Sequence, residues 1–298
     1  MIDILAKVLK ILYYRPMTRT TRRILFYCAI LLFIGISYIV LVYAQGYQYS
    51  FSQGKFIRSG ALYLNVNTSA NVLINGKLKT STSLLGNSAS VGGLLPGTYT
   101  VSVQKDGWSV WQKKFTIVAG FVEDFNHVML LPQTGQDKEN VRKEIHDLLY
   151  PVIASASARP SPSHSPSLTP KTKPTPKPSP TPSPTPDISN PYFIENSSLY
   201  VNIPEPAVKL ADNITIASLS DDNQKLAWFS GGQLWVYWLK DTNYQPVHHA
   251  GDVALIAHFN NPIKAIHWFR DNDYIALDAF GLKVVEIDTR PGLNIINF

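Results

Sequence analysis

Cysteine is almost missing from this chain of 298 residues: there is one, Cys28. It sits inside an apolar run, so no intramolecular disulfide can form and no cysteine nucleophile or metal ligand stands elsewhere. Folded parts must therefore hold by packing alone. The usual catalytic signatures are missing too. There is no Gly-x-Ser-x-Gly, no His-Glu-x-x-His and no phosphate loop. His248 and His249 are adjacent, and neighbours on a strand face opposite ways, so they read as a loop pair, not a metal site. Asp271-Asn272-Asp273 begins like a calcium loop, but the glycine and closing glutamate do not follow. It reads as a hairpin turn. These absences lead to the expectation of a protein that is not an enzyme and takes no metal and no cofactor.

Long apolar runs are also lacking, with one exception. Residues 24–44 read ILFYCAILLFIGISYIVLVYA, without a charge. At about 1.5 Å per residue they span roughly 32 Å, against a bilayer core of roughly 30 Å. Thirteen of the 21 are Leu, Ile, Val or Phe. At about −0.3 to −0.6 kcal/mol each they favour insertion by roughly 4 to 8 kcal/mol. Arg15, Arg19, Arg22 and Arg23 precede the run, and the next basic residue is Lys55. The positive-inside rule then expects residues 1–23 as a cytoplasmic tail and residues after about 45 outside. A cleaved signal ending at Ala44 is the alternative. Its apolar region is usually 7 to 15 residues, shorter than this one.

The formal charge of +6 is uneven. Residues 1–23 hold six basic groups and one acidic; residues 159–186 hold four basic and none acidic. Residues 187–298 hold seven basic and thirteen acidic. The basicity is thus an orientation signal and a basic linker. No folded segment offers a stripe of Lys and Arg for a phosphate track, which argues against nucleic acid.

Residues 45–59 connect the span to a β-rich stretch at 60–132. Gly60–Val66 alternates. Asn75-Gly76 is the strongest two-residue hairpin signal. Pro96-Gly97 opens another alternating run, and Asp106-Gly107 turns again. About six short strands in 70 residues predict a small antiparallel sandwich. The stretch resembles a PEGA domain, a short β-sandwich module of bacterial and archaeal envelope proteins. The resemblance rests on Ala70, Val72, Ile74, Asn75-Gly76, Leu95-Pro96-Gly97, Tyr99, Val101 and Lys105-Asp106-Gly107-Trp108, with Trp111 following. The first turn lacks the family's proline and glycine, and Thr82-Ser83 stands for its Thr-Pro. Trp108 and Trp111 have two readings: an aromatic platform for sugar rings, or packing residues.

Residues 133–158 hold a short helix, with Val141, Ile145, Leu148 and Leu149 at helical spacing. Residues 159–187 are rich in Pro, Ser, Thr and Lys; eleven of the 21 prolines fall within 28 residues. Such a segment buries no apolar area and reads as an extended spacer. Residues 188–298 repeat. Leu219 to Leu239 and Trp268 to Ile287 share strand, polar turn, strand, glycine turn, strand, offset by 49 residues. That grammar resembles the blades of WD-like bacterial β-propellers. Closed propellers have about four to eight blades, and this segment holds about two. Truncation, partial blades shared between chains and an open sheet are the three explanations; the pattern's stop at Phe298 favours the first. Trp228, Trp235, Trp238 and Trp268 fall on strand positions and read as core.

The sequence thus predicts a mainly β chain: one transmembrane helix, a PEGA-like sandwich, a proline-rich linker and partial propeller-like repeats. It predicts a single-pass cell-envelope protein that binds protein or glycan. Its partners would be the lipid bilayer and envelope proteins or surface glycans. The alternative is a truncated propeller enzyme or an envelope-assembly or sensor protein.

Overall fold

A computed structural model describes residues 18–83, 86–151, 190–202 and 206–298. Arg15, most of the basic tail and the proline-rich segment lie outside the described residues. The described chain is mainly β, and its sheets are open, not closed into a barrel. Two compact units are present. One holds the described residues up to 63 with 90–99 and 116–124; the other holds the described residues among 64–89, 100–115 and 125–298.

The first unit begins with helix α1 (Arg19–Ala44). Thr18 caps it, its hydroxyl accepting from the Thr21 amide at 3.2 Å. Arg19, Arg22 and Arg23 occupy its first turns, and none of its residues is buried. The helix is long and apolar enough to cross a membrane. It stops at Gly46, whose φ of 82° breaks the ladder. A hairpin follows directly, strand β1 (Tyr47–Ser50) pairing with β2 (Lys55–Arg58).

Seven strands occupy residues 60–128. They are β3 (Gly60–Val66), β4 (Asn71–Ile74), β5 (Lys77–Ser81), β6 (Ser88–Leu94), β7 (Gly97–Gln104), β8 (Trp111–Ile117) and β9 (Val122–Val128). They form a three-stranded sheet, β6-β3-β9, and a four-stranded sheet, β5-β4-β7-β8. Alternation decides which side chains turn inward. On β3 these are Leu62, Leu64 and Val66; on β8 they are Trp111, Lys113, Phe115 and Ile117. A lysine on the apolar face of β8 breaks the pattern and reappears below.

Helix α2 (Gly135–Leu149) follows and buries Val141, Ile145 and Leu149. Eleven more strands form three meanders, each in sequence order. The first is β10 (Tyr192–Glu195), β11 (Ser198–Val201) and β12 (Val208–Ala211). The second is β13 (Ile214–Leu219), β14 (Lys225–Ser230), β15 (Gln233–Trp238) and β16 (Val253–His258). The third is β17 (Ala265–Phe269), β18 (Tyr274–Asp278), β19 (Leu282–Glu286) and β20 (Ile295–Asn297). Among the described residues the segment from 190 thus carries three sheets, one more than its repeat showed.

Large side chains fill the gaps between these sheets. Leu199 and Val201 pack on Leu226, Trp228 and Tyr237 between the first and second. Phe229, Leu234 and Trp238 meet Trp268, Ile275 and Leu277 between the second and third. A third core joins Met129 and Leu131 and the buried face of α2 to Phe269, Tyr274 and Ala276. The end of the β-rich stretch, the helix and the last repeat therefore share one core. This explains why a helix of 15 residues, marginal by itself, is formed.

Candidate functional site

The expected turns sit as follows. Asn75 and Gly76 take φ of 49° and 74° and join β4 to β5, with Ile74 opposite Lys77. Both residues need the left-handed region, which Asn and Gly tolerate best. Pro96 separates β6 from β7, and the Tyr99 hydroxyl donates to the Leu95 carbonyl at 2.8 Å. Asp106-Gly107 turns with Gly107 at φ 75°, and the Trp108 amide donates to Lys105 at 3.1 Å.

The two tryptophans do not make one exposed platform. Trp111 is 1% exposed, its ring edge-on to Phe125 at 5.1 Å. Its indole N–H donates to Glu286 Oε1 at 2.9 Å. That leaves almost no ring surface for a sugar. Trp108 is half-buried, and Lys105 Nζ lies 4.1 Å from its ring centroid. His248 stacks on Trp238 with centroids 3.7 Å apart, while His249 is mostly exposed. Asp271 and Asn272 form the turn between β17 and β18, both at φ 55°. Among the described residues no cluster could hold a metal ion.

What converges instead is a set of buried charges. Lys113 is fully buried, and its Nζ lies 3.0 Å from Glu286 Oε2. The same ammonium donates to the Asp288 and Arg290 carbonyls at 2.7 and 3.2 Å. Asn294 Nδ2 donates to Glu286 Oε2 at 2.7 Å. Burial pushes the Glu286 carboxyl up, against the pull of Lys113. Arg290 forks onto Asp288, with Nη2 at 2.5 Å and Nε at 3.1 Å, and lies 3.6 Å over the Phe125 ring. The loop carrying these groups also covers the edge of β8. Lys114 N donates to Pro291 O at 2.7 Å, and Gln112 N to Asn294 Oδ1 at 3.0 Å. Gly292 is required by this approach: a Cβ there would stand 2.7 Å from Gln112 O. An open sheet edge is thereby closed.

A second group surrounds Asp273. It accepts from His127 Nδ1 at 2.7 Å, from Lys225 Nζ at 2.8 Å and from the Tyr244 hydroxyl at 2.8 Å. Lys225 Nζ also donates to Asn272 O at 2.7 Å, tying the start of β14 to the turn after β17. Burial works against Asp273 ionisation, but the His127 hydrogen bond and the Lys225 charge hold its carboxyl below the usual range. The same hydrogen bond raises His127 above its ordinary value of 6.5. A raised histidine contributes stability in full below 6.5 and loses it as pH rises through the folded value. Asp273, being lowered, contributes above 3.8 and loses its share as pH falls through its depressed value. The urea midpoint of the wild type should therefore lose its lead over that of His127→Asn as pH rises past 6.5. Parallel pH profiles for the two proteins would exclude this coupling.

These groups border a cavity of about 40 Å³, lined among others by His127, Tyr244, Asp273, Asp288 and Arg290. At about 10–15 Å³ per water it holds a few waters and no sugar ring. Its charges are matched to one another, so the arrangement acts as a joint between the strands that carry them.

The larger recess lies between α2 and the third meander. It is an open cleft of about 660 Å³, lined by Arg142, His146, Tyr150, Lys264, Phe280 and Phe298 among others. Phe280 is 72% exposed at φ 55°, with Lys264 Nζ 5.7 Å from its ring centroid. Tyr150 donates to Asp278 Oδ2 at 2.8 Å. Burial opposes ionisation of Asp278, yet that bond, the Gly281 amide and Lys264 keep its carboxyl low. Nothing in the sequence marked this cleft, because Tyr150 and Asp278 are 128 residues apart. The chain matches no protein-family model and no curated protein.

Proposed function

We propose that this is a non-enzymatic, single-pass cell-envelope protein. Residues 24–44 anchor it with the N-terminus in the cytoplasm. A PEGA-like sandwich at 60–132 and partial propeller-like blades at 188–298 stand outside and bind protein or glycan. The observation that carries the reading is α1: 26 residues, uncharged after its first turns, none of them buried. Three successive meanders support the blade reading, since blades are such sheets packed face to face. Binding is placed in the cleft of α2 and the third meander. Its volume falls in the usual ligand range of about 300–1,000 Å³, and an exposed aromatic ring stands beside cationic side chains.

Two experiments test this. Protease added to intact spheroplasts should remove the β-rich part; complete protection refutes the topology. The full chain in nanodiscs should capture envelope glycans or proteins. Phe280→Ala should weaken capture by about tenfold, the order of one lost hot spot of 1.4 kcal/mol, with unchanged thermal melting. Equal capture by the variant removes the cleft from the reading.

A further inference from the structure

The hairpin that follows α1 has two unlike faces. Strand register pairs Tyr49 with Phe56 and Tyr47 with Arg58, so Tyr47, Tyr49 and Phe56 share one face. Gln48 and Ile57 share the other, and Gln48 lies against Gly93. The aromatic face is continuous with the helix. Tyr43 meets Phe56 with centroids 6.2 Å apart, Phe56 meets Tyr49 at 5.3 Å, and Tyr49 meets Phe51 at 5.1 Å. The ends of that row are open: Tyr43 is 50% exposed, and Phe51, at the hairpin tip, is 91% exposed, with Tyr49 at 37% between them. Lys55 is exposed beside it.

The hairpin is held at the helix end. Ser59 donates from both its amide and its hydroxyl to the Gly46 carbonyl, at 2.8 and 2.7 Å. Only Gln45 and Gly46 lie between Ala44 and Tyr47, so β1 starts no more than about 11 Å from the end of the apolar run. The boundary between lipid chains and water has a depth of that order. Tyrosine and other amphipathic rings concentrate there, and an exposed ammonium faces lipid phosphate.

We infer that the β1–β2 hairpin lies in the headgroup layer of the bilayer that α1 crosses, with Phe51 and Tyr49 dipped among the upper acyl chains. The occupant of its aromatic face is phospholipid. The inference rests on the membrane-span reading of α1. It adds a second contact, which fixes the depth at which the span ends.

The test uses the full chain with Cys28→Ala in phosphatidylcholine–phosphatidylglycerol vesicles. An environment-sensitive fluorophore is attached at Gln53→Cys or, separately, at Ile34→Cys. Nitroxide lipids quench from near the glycerol end or from near the methyl end of the chain. The Ile34 label should be quenched best by the deep nitroxide, and the Gln53 label severalfold better by the shallow one. Adding Tyr49→Ser and Phe51→Ser should abolish the quenching at Gln53 and leave that at Ile34 unchanged. Water-like emission at Gln53 beside a quenched Ile34 overturns the hairpin's placement and leaves the span intact. Unquenched Ile34 overturns the span and the hairpin together.

Discussion

Lys113→Ala should destabilise the β-rich part by about 3–5 kcal/mol, because it strips the partner from a buried carboxylate. Lys113 has no exposed side-chain surface, and Glu286 has 5%. With the ammonium gone, Glu286 keeps its bonds from Trp111 and Asn294 but has no compensating charge. Burial would then drive it to the protonated form, which recovers only part of the loss. Replacing both partners, as Lys113→Met with Glu286→Gln, should recover much of the stability, since the double variant buries no unpaired charge. Urea unfolding with and without each change measures this as a double-mutant cycle. A loss below about 1 kcal/mol for Lys113→Ala would place the pair in solvent and sink the joint.

Trp268→Ala should cost about 3–5 kcal/mol by leaving a cavity among large side chains. The indole is 2% exposed in the core between the second and third meanders. It also donates to the Ser218 carbonyl at 2.9 Å, and that acceptor would lose its partner. A domain's whole stability is about 5–15 kcal/mol, so the variant approaches the threshold of folding. Trp268→Phe keeps most of the volume and gives a measurable intermediate loss. The unfolding midpoint should fall in the order wild type, Trp268→Phe, Trp268→Ala. Equal midpoints for the three would mean that the meanders do not share this core.

Several local features were legible from the residues. The apolar run at 24–44, ended by Gly46, becomes α1 because twenty-one uncharged residues leave no signal for anything shorter. The Asn75-Gly76 hairpin follows from two residues that accept positive φ. The repeat at 219–239 and 268–287 fixed six strand positions, since polar turns and alternating hydrophobes are written locally. Even Lys113 left a trace. Counting back by twos from Ile117 and Phe115 lands on it and on Trp111, which marks a charge on a buried face.

Other features were not legible, and the reason is physical. Strand periodicity says which side chains share a face, not which surface that face meets. Trp111 could be a platform or a core residue until Glu286, 175 residues away, took its N–H. The sheet at 192–211 has short strands and little pattern, and its core is completed by Leu226, Trp228 and Tyr237 from its neighbour. The cleft beside Phe280 exists only where α2 docks. By itself the sequence determined the scarcity of cysteine, the one apolar span, the strands of the repeat and the chemistry of their turns, because these depend on neighbours along the chain. The tertiary structure decided which charges are buried together and which rings stay exposed, because those depend on surfaces that only folding brings into contact.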